Sequence, residues 1–95
     1  MSNKTRDGKQ KIDVYIDFVG LRIDGESGGR RALAVDPNIA DALNTVKGYV
    51  EEKTRRNNYM VYHNGRFISR PEVKGSNKTV EDGDVFKIIP VMSGG

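Results

Sequence analysis

The stretch Asp36-Pro37-Asn38-Ile39-Ala40-Asp41-Ala42-Leu43-Asn44-Thr45-Val46-Lys47-Gly48-Tyr49-Val50 decides how the chain folds, because it reads as the long helix among segments that otherwise read as strands. Ile39, Leu43, Val46 and Val50 recur at spacings of 4, 3 and 4, which lays one apolar stripe along a helix. Asp36 can cap the free N–H groups and Pro37 suits the first helical position. Lys53, Arg55 and Arg56 favour the negative end of the helix dipole, and Asn57-Asn58 is expected to end it. Gly48 inside the pattern costs roughly 1 kcal/mol against alanine, and nothing in the sequence explains it.

Outward from that helix, both flanks read as strands. Upstream, Ile12, Val14, Ile16 and Phe18 share one face of Lys11–Ile23, while Asp13, Tyr15 and Asp17 share the other. Asp24 to Gly29 holds three glycines in six residues and reads as a turn, and Arg31 to Val35 as the second strand of a hairpin. Gly28-Gly29-Arg30-Arg31 is thereby expected at a hairpin tip, with backbone anion binding as the alternative. Downstream, Tyr59–His63 is a strand whose buried face the pattern leaves open. Asn64-Gly65 signals a tight turn into Arg66–Ile68. Ser69–Lys78 reads as a loop, Asp82-Gly83-Asp84 as a turn, and Val85–Pro90 as the last strand.

One helix of ~18 residues spans ~27 Å, enough to cover one face of about four or five strands at ~4.8 Å spacing. The order strand, strand, helix, strand, short strand, strand therefore predicts an α+β roll. Its natural form is a β-grasp: a four- to five-stranded mixed sheet with one main helix on one face. Residues 11–90 form this domain; residues 1–10 are expected to be a flexible basic leader and 91–95 a flexible tail.

Composition limits what such a domain does. The chain has 95 residues, no cysteine and no apolar run near the ~20 residues of a membrane span. Disulfides and thiolate chemistry are excluded. The polar N-terminus carries no apolar signal core, so the expected location is cytoplasmic, with no membrane contact. The net charge of +3 comes from residues 1–11, where Lys4, Arg6, Lys9 and Lys11 outweigh Asp7; the remainder is balanced. A nucleic-acid binder should instead show a basic stripe on the folded domain, so no nucleic-acid partner is expected. His63, the single histidine, sits beside a turn without a second ligand in view, and no metal site is expected.

Chemistry points to the C-terminal end. Strand parity sends Phe86 and Ile88 to the helix and leaves Val85, Lys87 and Ile89 on the outer face. Ile89, with Tyr15 and Val19, is expected to form an apolar partner surface that leads into the tail, unless a loop or strand curvature shields it. Gly94 and Gly95 lack Cβ atoms, so they can thread a narrow channel and present an unhindered carboxylate. The chain has no Gly-x-x-x-x-Gly-Lys-Ser/Thr loop, so any ATP is bound by a partner and the chain itself needs no cofactor.

The segment Val80-Glu81-Asp82-Gly83-Asp84-Val85-Phe86-Lys87-Ile88-Ile89-Pro90-Val91-Met92-Ser93-Gly94-Gly95 resembles the C-terminus of the ubiquitin-like sulfur carriers, the ThiS/MoaD-like family. Tyr62-His63-Asn64-Gly65-Arg66 resembles the turn that precedes it there. The resemblance is specific over residues 59–95 and architectural over 11–56. It implies a carrier rather than an enzyme. An E1-like enzyme would adenylate Gly95, and a sulfur donor would convert it to a thiocarboxylate. A sulfur-accepting synthase would then consume that sulfur. Gly94, Ser93, Met92 and Val91 would thread into the partner's active site, and the free carrier would be a monomer. The basic leader and the glycine-rich first hairpin depart from the family pattern. Two other readings share the same sequence: a protein modifier joined to lysines through Gly95, and a plain β-grasp interaction module.

Overall fold

The computed structural model describes residues 10–23 and 26–91. Its elements are β1 (Ile12–Ile23), β2 (Glu26–Val35), α1 (Ile39–Thr54), β3 (Tyr59–His63), β4 (Arg66–Ile68), α2 (Arg70–Val73) and β5 (Val85–Pro90). They form one mixed five-stranded sheet in the order β2-β1-β5-β3-β4. Both hairpins are antiparallel, and β5 inserts between them, parallel to β1 and antiparallel to β3. This is the β-grasp arrangement that the element order predicted, with α1 across one face.

The expected apolar stripe of α1 is the buried one: Ile39, Leu43, Val46 and Val50, joined by Ala42. Val14, Ile16 and Phe18 of β1 and Phe86 and Ile88 of β5 meet it from the sheet. Burying each large side chain contributes roughly 1.5–3 kcal/mol, so this layer dominates the stability. β3 resolves its parity by burying Tyr59 and Val61.

Four local expectations are corrected. The helix is capped by Asn38, whose Oδ1 accepts the N–H groups of Ala40 and Asp41 at 2.9 and 3.1 Å. Asp36 sits two residues too early and instead accepts the Asn38 N–H at 3.0 Å, a turn that leads into the cap. At the other end the helix stops before Asn57-Asn58: Arg55 turns left-handed at φ 60° and its N–H returns to the Glu51 carbonyl. The loop after β4 contains α2, with Pro71 in its first turn and Val73 in the core.

The fourth correction concerns the glycine-rich segment. β2 begins at Glu26, which pairs with Ile23, so Gly28 and Gly29 lie in a strand and not at a hairpin tip. Asp24 and Gly25 lie outside the described residues. Gly28 is needed there because a Cβ would come within 2.8 Å of the Phe18 Cβ. Opposite it, β1 bulges: Phe18 pairs with Gly29 but Arg22 with Ser27. Gly20, at φ +71°, lies in this bulge. The bulge shifts the inward parity, so Leu21 and Ile23 join Val14, Ile16 and Phe18 in the core.

Candidate functional site

Strand β5 is held by three fastenings, two at its start and one at its end. The Asp82-Gly83-Asp84 turn extends the β1 ladder: Gly83 N–H donates to the Asp13 carbonyl at 2.8 Å, and Tyr15 N–H to the Asp84 carbonyl at 2.8 Å. The Asp82 carboxylate accepts the Asp13 N–H at 3.0 Å. Gly83 takes φ +91°, a conformation that favours glycine. The acidic-glycine sequence is thus turn chemistry.

The Asn64-Gly65 turn supplies the second fastening. Both residues have positive φ, 50° and 89°, as a two-residue hairpin of this type requires. Asn64 N–H donates to the Val85 carbonyl and its Oδ1 accepts the Val85 N–H, each at 2.9 Å. His63 Nε2 lies 2.7 Å from Asp84 Oδ2, and its ring stacks on Phe86 with centroids 4.9 Å apart. Burial alone would raise the Asp84 pKa; the Glu81 N–H, His63 and Asn64 outweigh it and hold the carboxyl below its usual value. The two motifs that the sequence singles out, residues 62–66 and 82–84, meet in space and clamp the start of β5.

The third fastening was not legible beforehand. Val91 N–H donates to the Asn58 carbonyl at 3.1 Å, and the Asn58 amide reaches the Val91 carbonyl at 3.4 Å. Val91, expected at the start of the free tail, is therefore tied down and half-buried. Asn58 reads in sequence only as a helix terminator, and only the β3–β5 register reveals its second use. Met92, Ser93, Gly94 and Gly95 lie outside the described residues.

The outer face has the predicted parity: Lys87 is exposed while Phe86 and Ile88 are buried. Ile89 is half-buried and pairs with Met60 of β3. Tyr15 is 39% exposed but pairs with Val85, at the opposite end of β5. Ile89 lies four residue steps beyond Val85, about 13 Å of strand. The structure therefore does not bring Tyr15 to Ile89. Around Ile89 it places Met60 and, one residue beyond the Phe18–Ile88 pair, Val19 at 40% exposure. Between the two ends run Asp17 and Lys87, with Tyr62 and 47%-exposed Phe67 in edge-to-face contact at 5.8 Å. Among the described residues no cluster of His, Asp or Glu could hold a metal, and no helix is long and apolar enough to cross a membrane.

A five-stranded mixed sheet under one helix, with its central strand clamped at the start, defines a ubiquitin-like β-grasp protein. The sequence profile of the ThiS family matches residues 23–95, well beyond the 59–95 region of specific resemblance, and the chain belongs to that family. The family's members are small carrier proteins rather than catalysts. Among solved structures the chain is similar to a ubiquitin-like protein from Trypanosoma brucei, with a TM-score of 0.61 and 24% identity over 87% of this chain and 98% of that one. That likeness shows the fold. No curated protein matches the chain by sequence.

Proposed function

We propose that the protein is a sulfur carrier whose reacting group is the Gly95 carboxyl. The observation that carries this reading is the family match, which runs through the Gly94-Gly95 pair itself. The clamped β5 supports it, because a strand fixed by its neighbours through Val91 gives a partner a rigid handle from which to take up the next residues. In the first step the Gly95 carboxylate attacks the α-phosphate of ATP held by an E1-like partner, and pyrophosphate leaves. Sulfide then attacks the acyl carbon and AMP leaves, giving the thiocarboxylate. With a protein persulfide as donor the product is an acyl disulfide, which a second thiol reduces to the same thiocarboxylate. A sulfur-accepting synthase in cofactor biosynthesis, of the thiamine or molybdopterin kind, consumes it. Gly94 gives clearance, Met92 and Ser93 line the partner's channel, and Ile89 packs on the partner's surface.

The test is co-expression with the adenylating enzyme, followed by intact mass of the carrier. The expected product has one oxygen replaced by sulfur at Gly95. A fold of ubiquitin type and eight lysines also suit a modifier. Covalent adducts on lysines, with no thiocarboxylate, would replace the carrier reading with that one. No basic residue follows Lys87, so a tryptic remnant on a target lysine would extend from Ile88 to Gly95.

A further inference from the structure

β4 has three residues and α2 has four, so together they stop short of closing over one flank of α1. What remains is a hollow of about 260 Å³ between α1, β3–β4 and α2. Of its lining, Leu43, Tyr59 and Ile68 belong to the buried core, whereas Lys47 is half-buried and Arg70 and Pro71 are exposed. The floor is therefore apolar and the rim positive. A second hollow, of about 480 Å³, lies across the Arg70-Pro71 ridge and is lined by Ala40, Asn44, Val73 and Lys74. The two share Arg70 and Pro71, so the concave surface continues past the ridge with a third cation on it.

Lys47 and Arg70 hold these places without a carboxylate. Arg70 donates from Nε to the Asn44 amide oxygen at 3.0 Å, a neutral partner that orients the guanidinium while its Nη groups stay available. Lys47 Nζ sits 4.4 Å from the centre of the Tyr59 ring. The neighbouring acids are engaged: Glu51 Oε2 accepts the Tyr59 hydroxyl at 2.7 Å, and Glu72 pairs with Arg66 at 3.3 Å. Among the described residues neither Lys47 nor Arg70 forms an ion pair. Burial lowers the Lys47 pKa and the Arg70 charge lowers it further, against Glu51, which raises it. The rim thus carries surplus positive potential that a bound anion would relieve.

Size narrows the occupant. The hollow is smaller than the roughly 300–1,000 Å³ of a small-molecule site, but it admits one large side chain, the kind of anchor on which protein interfaces concentrate their energy. We propose that it takes a single apolar side chain from an acidic segment of another protein, with carboxylates two residues to either side reaching Lys47 and Arg70. In an extended segment residues two apart project to the same side, so anchor and acids face the rim together. The site lies on the helix side of the sheet, away from the outer face that holds Ile89, and stands whether or not Gly95 carries sulfur.

The experiment titrates the full 15N-labelled chain with the blocked peptide Asp-Ser-Phe-Ser-Glu. Amide shifts are expected in residues 43–47, 59–61 and 68–71, together with a rise in the Lys47 ammonium pKa. A peptide with Asn and Gln in place of the acids, and one with Ala in place of Phe, should each bind about tenfold more weakly. Arg70→Gln and Lys47→Gln should each weaken binding about fivefold, while Lys87→Gln on the outer face leaves it unchanged. If Lys47→Gln disturbs the fold, Arg70→Gln and the two control peptides decide. Absence of shifts at millimolar peptide, shifts confined to the face around Ile89, or equal binding of either control peptide would overturn the proposal. So would tighter binding after removal of residues 92–95, which would assign the hollow to the chain's own tail. Self-association abolished by Arg70→Gln would assign it to a second copy.

Discussion

Individual residues carry the sharpest energetic consequences. Gly48 lies on the exposed face of α1, and a Cβ built there meets nothing within 4 Å. Its cost to the helix is therefore uncompensated, and Gly48→Ala should stabilise the protein by about 0.5–1 kcal/mol in urea unfolding. Gly28 is the opposite case. Gly28→Ala drives a methyl into Phe18 and should destabilise by roughly 1–3 kcal/mol. Asp84 sets a pH dependence. Its pKa in the folded chain is depressed below 3.8, so its bonds to the Glu81 N–H, His63 and Asn64 contribute stability above the ordinary carboxylate range. That contribution is lost as pH falls below about 4 and through the folded value. Asp84→Asn should cost about 1–2 kcal/mol at pH 7 and show a shallower loss of stability on acidification, measured by denaturant titration at each pH.

At the scale of elements, the start of α1 and the loop before β5 are one unit. Asn38 caps the helix, its amide donates to the Ser76 carbonyl at 3.1 Å, and Val80 N–H donates to the Pro37 carbonyl at 2.7 Å. Asn38→Ala should therefore exceed the ~1 kcal/mol of a plain cap. Amide exchange should accelerate in residues 76–80 as well as in the first turn of α1. The opposite end of the helix is tied to β3: the Tyr59 hydroxyl donates to Glu51 Oε2 at 2.7 Å and lies 3.2 Å from the Lys47 carbonyl, with Lys47 Nζ 4.4 Å above its ring. Burial, and then the Glu51 carboxylate, push the Tyr59 pKa up, so this hydroxyl stays protonated throughout the ordinary pH range. Glu51 thus seats a strand on the helix.

For the whole molecule, the carrier reading separates stability from function. Removing Gly94 and Gly95 touches none of the described core, so the thermal midpoint should stay unchanged while adenylation is abolished. The outer face divides further. Ile89→Arg, next to the end of β5, should lower turnover by the activating enzyme about tenfold without unfolding the chain. Tyr15→Ala, about 13 Å away along the sheet, should change it less. Equal effects of the two substitutions would show that the partner covers the full face.

The sequence by itself determined the order of the five strands and α1, the apolar stripe of α1, the inward set Phe86 and Ile88, and the Asn64-Gly65 and Asp82-Gly83-Asp84 turns. Each of these rests on local periodicity or on backbone preferences that act within a few residues. Only the tertiary structure decided the rest. Gly28 and Gly29 look like turn residues until Phe18 is seen to need the space above one of them. Asn58 looks like a helix terminator until β3 and β5 align and its carbonyl meets Val91. Tyr15 and Ile89 share a face by parity, but their distance along it follows from the β1–β5 register. The helix cap moved from Asp36 to Asn38 because the 76–80 loop engages the later residue. Contacts between residues far apart in the chain leave no periodic trace, so they become readable only when the strands are in place.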